Sequence, residues 1–349
     1  MIRIDEIYYN IFVKFSQSNS LNLDIQWFDP FGSSAFSDLC NSEVFAKRRM
    51  LFWDQELLQH ELISSFFDQY LSVYKNGPYT IVTSEAESDS VKWVCDTYGF
   101  DSSYYFFHGW AALDWYRGYD RTCLYTPFRH RNIDKTFLCP NNIIGGKRRH
   151  RLELLSELVD RELVYNNLVS FPDQCPYENK TVAELCKEYN INLAAVDLPL
   201  KIDQGNNYAG NSHAIDMWPL ADQTLLHVIT ETAYYGKKLH LTEKTFKPIV
   251  MQQPFILVST QGSLEYLKRY GFKTFSAFWD ESYDDADDNI RILKIGKLLK
   301  ELDDLSLKEK QQLQQALIPL VEHNFNWFYS QNFENLLWSE LTTMMKSWR

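Results

Sequence analysis

The chain has no long apolar run. Nothing in it approaches the roughly twenty residues that a membrane-crossing helix needs, so no membrane partner is expected. Its first ten residues carry Arg3, Asp5 and Glu6, unlike a secretory leader, and a reducing cytoplasm is the expected setting, a host cytoplasm if the source is viral. The six cysteines, Cys40, Cys95, Cys123, Cys139, Cys175 and Cys186, stand singly. Without a C-x-x-C pair they read as buried thiols, not as zinc ligands or a disulfide framework. No H-E-x-x-H, Walker loop or G-x-S-x-G occurs, which removes motif support for metalloprotease, P-loop and serine-hydrolase chemistry. Glycine is sparse at 13 residues, and the nearest thing to a phosphate loop is Gly145-Gly146. There is no Ser/Gly linker, internal repeat or low-complexity tract. The net charge of −11 lacks the basic excess typical of nucleic-acid binders.

What is present describes a packed α/β protein. Apolar residues make up 45% and aromatics 15% of 349 residues, enough for two cores. Strand-like and helix-like segments alternate. Strands are expected at 23–28, 49–54, 79–84, 104–108, 135–142, 193–196, 225–230 and 254–258. Helices are expected at 59–74, 90–98 and 147–158, with a final one over 321–349.

Two segments carry chemistry. The apolar strand 225–230 ends at Glu231, and Thr242-Glu243-Lys244 then opens a short helix, with Thr242 suited to cap it. A helix start presents free N–H groups and a positive dipole end, the adjacent lysine adds a full charge, and a glutamate can accept from ribose hydroxyls. That set suits a nucleotide diphosphate. Upstream, the strand 135–142 reaches Asn141, and a helix carrying Arg148 and Arg151 three residues apart follows Gly145-Gly146. Leu152, Leu154, Leu155 and Leu158 form its core-facing stripe. The structural alternative for the later segment is simply a strand, a turn and a capped surface helix.

In this order, over roughly residues 135–262, the chain resembles the donor domain of the inverting α1,3-fucosyltransferase family. Glu231 matches the glutamate of that family's strand-ending Phe-Glu-Asn-Ser, and Thr242-Glu243-Lys244 matches its Thr-Glu-Lys. Arg151 stands seven residues before Leu158, as the family's phosphate-binding arginine stands before its helix-closing leucine. A looser likeness, through Gly271-Phe272-Lys273-Thr274-Phe275 and Asp280-Glu281-Ser282-Tyr283-Asp284, runs to phage and giant-virus glycosyltransferases. The resemblance implies a GT-B-like α/β fold of two Rossmann-like domains facing across a cleft. The acceptor-side domain would span 1–134, the donor domain 135–325, and a C-terminal helix, 326–349, would cross back. It implies transfer with inversion from a nucleotide-diphosphate sugar such as a GDP- or UDP-sugar, and no cofactor. Glu243 would hold the ribose, Lys244 and Arg151, with Arg148, the diphosphate, and Glu231 the donor sugar. The family's Asn-Ser is Thr232-Ala233 here, so fucose is not implied.

An acceptor hydroxyl needs a carboxylate to take its proton. The strand end 52–56 offers Glu56 first, in the place of the family's Gly-Glu-Asn base, and Asp54 second; helix capping is the structural alternative for this pair. Asp114, within the aromatic cluster 108–117, is a third candidate, alternatively a core residue paired with Arg117. The acidic run 280–288 reads as an exposed loop before a helix near Ile290, and no metal is expected. Residues 117–151 hold nine Lys or Arg and two acids, net +7, leaving −18 for the rest. A glycan or small-molecule acceptor is the first expectation. DNA, with hydroxylated bases as acceptors, is the alternative, and a non-catalytic carbohydrate- or nucleic-acid-binding protein is the alternative of another class.

Overall fold

A computed structural model describes residues 14–18, 24–28, 49–53, 64, 68, 79–125, 131–202, 215 and 217–347, the side chains of 15, 16, 24–28 and 49–53 excepted. In chain order the elements are α1 (Lys14–Ser18), β1 (Asp24–Phe28), β2 (Arg49–Trp53), β3 (Tyr79–Thr83), α2 (Asp89–Tyr98), β4 (Asp101–Tyr104), α3 (Phe107–Leu113) and a π-helical turn, Asp114–Tyr119. Next come β5 (Lys135–Pro140), a 3₁₀ turn at Gly146–Arg148, α4 (His150–Asp160), β6 (Leu168–Ser170), the hairpin β7 (Gln174–Cys175) and β8 (Lys180–Thr181), α5 (Val182–Tyr189) and α6 (Trp218–Ala221). The remainder is β9 (Thr224–Thr230), α7 (Glu243–Val250), β10 (Phe255–Val258), α8 (Ser263–Arg269), α9 (Asp288–Asp303), α10 (Leu307–Tyr329) and α11 (Gln331–Lys346). The protein is α/β, and the chain divides into two compact units.

The first unit comprises Met1–Asp114, Gly236–His240 and Glu334–Arg349. Its sheet is parallel, in the order β1-β2-β3-β4, with Thr83 opposite Tyr104. All of β3 is buried, as expected of a strand covered on both faces. Ser88 caps α2 by accepting from the Val91 N–H, and Gly99 ends it at φ +69°. The Glu340 carboxylate accepts from the Phe106 N–H at 2.8 Å, and Trp338 packs edge-on against Trp110 at 4.5 Å. A Cβ on Gly109 would lie 3.2 Å from Leu337, so the residue's smallness permits a close approach of α3 and α11.

The second unit comprises Trp115–Tyr235 and Leu241–Phe333. Its main sheet is parallel, ordered β10-β9-β5-β6, with Phe255 opposite His227 and Leu138 opposite both His227 and Leu168. Every residue of the central strand β9 is buried. The chain runs from β5 to β6 on one side and returns past β5 to β9 on the other, so strand order reverses between β5 and β9.

Several expectations need correction. The strand expected at 104–108 is the polar segment Asp101–Tyr104, and the aromatic residues after it start α3. Residues 193–196 form no strand and lie half or fully exposed. The helix expected over 147–158 begins as a 3₁₀ turn and becomes α-helical only at His150. The final helix is two, broken at Ser330, whose hydroxyl accepts from the Phe333 N–H at 3.3 Å. The acidic run is not wholly exposed: Tyr283 and Asp284 are buried, and the Asp284 carboxylate accepts from the Leu264 N–H at 3.0 Å, at the start of α8. The helix expected over 59–74 lies outside the described residues apart from its helical residues Ser64 and Asp68.

Candidate active site

In open parallel α/β sheets, ligands bind beyond the carboxyl ends of the strands where strand order reverses. In the second unit that point lies between β5 and β9, and the sequence-predicted donor residues gather there. Asn141 follows β5 and Glu231 follows β9. Thr230 Oγ1 donates to Asn141 Oδ1 at 2.8 Å, joining the two strand ends.

Glu231 is fully buried. Its carboxylate accepts three hydrogen bonds: from Thr242 N–H at 2.9 Å, Thr242 Oγ1 at 2.6 Å and Thr245 Oγ1 at 2.7 Å. Two of these come from the residue that caps α7, so the strand end holds the helix start. Thr242 Oγ1 in turn accepts from Lys244 N–H at 3.4 Å, the capping bond, and from Lys244 Nζ at 3.1 Å. Lys244 Nζ also pairs with Glu243 Oε1 at 3.0 Å. Glu243 and Lys244 are half-buried, whereas Thr242 and Thr245 are buried.

Arg151 lies in the first turn of α4 and is buried. It donates through Nη1 to Ile143 O and through Nη2 to Thr230 O, both at 2.8 Å. The guanidinium thereby ties the turn after β5 to the end of β9. Burial, and then Arg148, lowers its pKa to about 10, while Glu231 and Glu243 act in the opposite sense. Arg148 is half-buried in the 3₁₀ turn.

Sequence reasoning passed over three neighbours. His150 is buried, stacks on Tyr234 at 4.7 Å, and donates through Nε2 to Glu231 O at 3.0 Å. Burial, with Arg151 beside it, lowers its pKa well below the ordinary imidazole value, so it is neutral. Tyr235 donates to Glu153 Oε2 at 2.7 Å, the carboxylate whose other oxygen pairs with Arg149. Tyr116, in the π-helical turn, is wholly buried; burial and then the Glu243 charge raise its pKa well above the ordinary phenol value. A π-turn is a frequent companion of functional sites, but nothing in the order of residues announces one.

Of the three base candidates, Asp54 and Glu56 lie outside the described residues. Asp114 is half-buried, the last residue of the first unit before its chain passes into the second. Arg117, its suggested partner, donates through Nη2 to Phe328 O at 2.8 Å and Ser330 O at 2.6 Å.

The chain matches no protein-family model, no curated protein and no solved structure among those compared. Its function therefore has to be argued from the site.

Proposed function

We propose that the protein transfers a sugar, with inversion, from a nucleotide-diphosphate donor to a hydroxyl of a glycan or small molecule, in a GT-B-like arrangement. The observation carrying this reading is the convergence of Asn141, Arg148, Arg151 and Thr242–Lys244, from three separate chain segments, at the strand-order reversal of one parallel sheet. The start of α7 supplies positive dipole there, with the half-buried Lys244 in its first turn, and Arg148 acts electrostatically on Arg151.

In this reading Lys244 and Arg148 meet the diphosphate and Glu243 accepts from the ribose hydroxyls. Arg151 adds a fixed positive field, and Glu231 works as the frame for Thr242. As the acceptor oxygen bonds to the anomeric carbon, the bond from that carbon to the diphosphate oxygen breaks. The electron pair leaves with the diphosphate, where preorganised positive charge lowers the barrier. The acceptor's proton passes to a carboxylate, Glu56 before Asp54 or Asp114. No cofactor or metal is assigned to the step.

The basic segment 117–151 favours a glycan or small molecule over DNA as acceptor. Much of its charge is spent inside the fold. Arg117 and Arg151 donate to backbone carbonyls, as Arg131 does to Met251 O. A phosphate-backbone interface needs those cations outward.

The test is a thermal-shift panel of GDP-, UDP-, CMP- and dTDP-linked sugars on the intact protein and on Lys244→Ala. Stabilisation by one nucleotide, lost in the variant, supports a donor site. No shift with any nucleotide sinks the transferase reading and favours a carbohydrate- or nucleic-acid-binding module.

A further inference from the structure

A cavity of about 530 Å³ lies wholly within the first unit, a volume in the ordinary range of small-molecule sites. Its walls are the end of β4, at Ser103 and Tyr104, and one side of α11. Tyr104 is the last residue of a parallel strand, and open α/β sheets take their ligands beyond the carboxyl ends of their strands.

The sequence of α11 gives the helix two sides. Leu337, Leu341 and Met345, four residues apart, are wholly buried and form its core stripe. Leu336, Glu340, Thr343 and Ser347, at spacings of three and four, form a second stripe that includes Ser339 and lines the cavity. Ser339 and Thr343 are exposed, and Tyr104, Leu336 and Glu340 are half-buried, so a molecule from solvent can reach them. The two walls are fixed to each other by Glu340, which accepts from the Phe106 N–H just past β4, and by the edge-on packing of Trp338 on Trp110. A cleft held open in this way asks little ordering of itself when it is filled.

The lining selects its ligand. Ser103, Tyr104, Ser339 and Thr343 bring hydroxyls, each able to donate and to accept. Ser347 Oγ gives its proton to Met344 O at 2.6 Å, which leaves it an acceptor. Leu336, Met344 and the ring of Tyr104 supply apolar surface. Among the described residues no Lys, Arg or His lines the cavity, and its one charge is the Glu340 carboxylate. An anion would therefore meet no counter-charge. A cation would find one carboxylate, already engaged by a backbone N–H, and hard cations need several oxygen ligands. A wholly apolar molecule would cover the hydroxyls without pairing them, which costs free energy. A sugar ring returns a hydrogen bond to each hydroxyl and lays its C–H faces on the apolar residues. We infer that this cavity binds a neutral saccharide, which hydrogen-bonds Tyr104, Ser339 and Thr343 and packs on Leu336 and Met344. The site stands without the nucleotide reading of the second unit, so either can fail alone.

The experiment titrates glucose, galactose, mannose, N-acetylglucosamine, maltose and lactose into the intact protein without nucleotide, with glucosamine and glucuronate as charged counterparts. Binding is read by saturation-transfer NMR and calorimetry. At least one neutral sugar is expected to bind, and glucuronate to bind more weakly than glucose. Ser339→Ala, Thr343→Ala and Tyr104→Phe should each weaken the preferred sugar by about threefold to tenfold, the scale of one lost hydrogen bond. Thr343→Trp, which fills the cavity from an exposed position, should abolish binding. Glu340→Gln, which keeps an acceptor for the Phe106 N–H, should leave the neutral sugar bound. If Thr343→Trp does not fold, the two alanine variants carry the test. Absence of binding by every neutral sugar overturns the inference, and so does binding that the folded variants leave unchanged. Preference for glucuronate over glucose, or binding confined to glucosamine and lost in Glu340→Gln, overturns it as well. Sugar binding in a protein that ignores nucleotides upholds this site while the donor reading falls; nucleotide binding without sugar binding does the reverse.

Discussion

Replacing Glu231 tests the frame of the candidate site. The carboxylate is fully buried and accepts three hydrogen bonds from Thr242 and Thr245. In Glu231→Ala the buried Thr242 N–H loses its acceptor, and leaving it unmet costs about 1–3 kcal/mol. The two threonine hydroxyls can rotate, so their losses fall nearer the about 1 kcal/mol of an ordinary net hydrogen bond. The buried Arg151 also loses an anion that supports its charge. The sum is about 3–5 kcal/mol, the range for breaking a buried charged partner. Glu231→Gln keeps the shape and the oxygen facing Thr242 N–H and Thr245. Its amide, however, points at Thr242 Oγ1, which already accepts from Lys244 N–H and Nζ. That crowding of donors puts its cost at about 1–2 kcal/mol. Because the chain forms two units, a single unfolding midpoint is a poor readout. Native-state hydrogen exchange over residues 239–246 reads the local stability directly. The reasoning is refuted if that segment in Glu231→Ala stays within about 1 kcal/mol of wild type, or if the glutamine and alanine variants lose protection equally.

Two pH-dependent predictions follow from other buried groups. His227, in the centre of β9, has its pKa lowered to about 3, by burial and then by Lys247. Its imidazole therefore takes up a proton on unfolding but not in the fold. The stability it protects is whole above pH 6.5 and drains as pH falls towards 3, by up to about 1.4 kcal/mol per pH unit. His227→Leu should flatten the decline of the second unit's own unfolding midpoint between pH 6.5 and 4.5; parallel wild-type and variant curves would count against it. Asp284 is the opposite case, its pKa raised to about 6 by burial against the pull of the Leu264 and Glu265 N–H groups. A raised carboxyl contributes most below its unfolded value near 4 and progressively less as pH rises through 6. Asp284→Asn keeps an acceptor for Leu264 and should raise the midpoint at pH 7.5 but not at pH 4; Asp284→Ala, lacking the cap, should lower it at both. A midpoint at pH 7.5 that does not rise in the asparagine variant rules this out.

Much of the second unit was legible in the sequence because its signals are strong and local. The apolar run of β9 could be buried only as a central strand, and Thr242 caps α7 as its position suggests. The misreadings share one cause, which is that burial is decided by tertiary neighbours. Asp101-Ser102-Ser103 is polar yet pairs with β3, because a strand at the edge of the sheet, as β4 is among the described residues, needs only one partner. The apolar residues at 193–196 have no partner strand among the described residues and remain irregular. Asp284, amid a run of acids, is buried because the start of α8 needs an acceptor. Ser330 did carry a readable signal, a capping residue three before Phe333, but the amphipathic pattern on both sides hid it.

Within the candidate site, sequence finds the residue types and not the division of labour. Arg148 and Arg151 are the same side chain three positions apart, but the first is half-buried in a 3₁₀ turn while the second is buried with its Nη groups on backbone carbonyls. Glu231 and Glu243 differ in the same way: one carboxylate is enclosed by two threonines, the other is half-buried beside Lys244. A buried group whose polar atoms are occupied by the fold can shape a site but cannot meet a ligand without first breaking those bonds. Affinity loss should therefore come in two kinds. Lys244→Ala should abolish nucleotide binding and leave exchange protection over 239–246 intact, since the Glu231–Thr242 bonds do not pass through its side chain. Glu231→Ala should lose both together. If Lys244→Ala instead loses protection to the same extent as Glu231→Ala, the lysine belongs to the frame, and the diphosphate contact then falls to Arg148 alone.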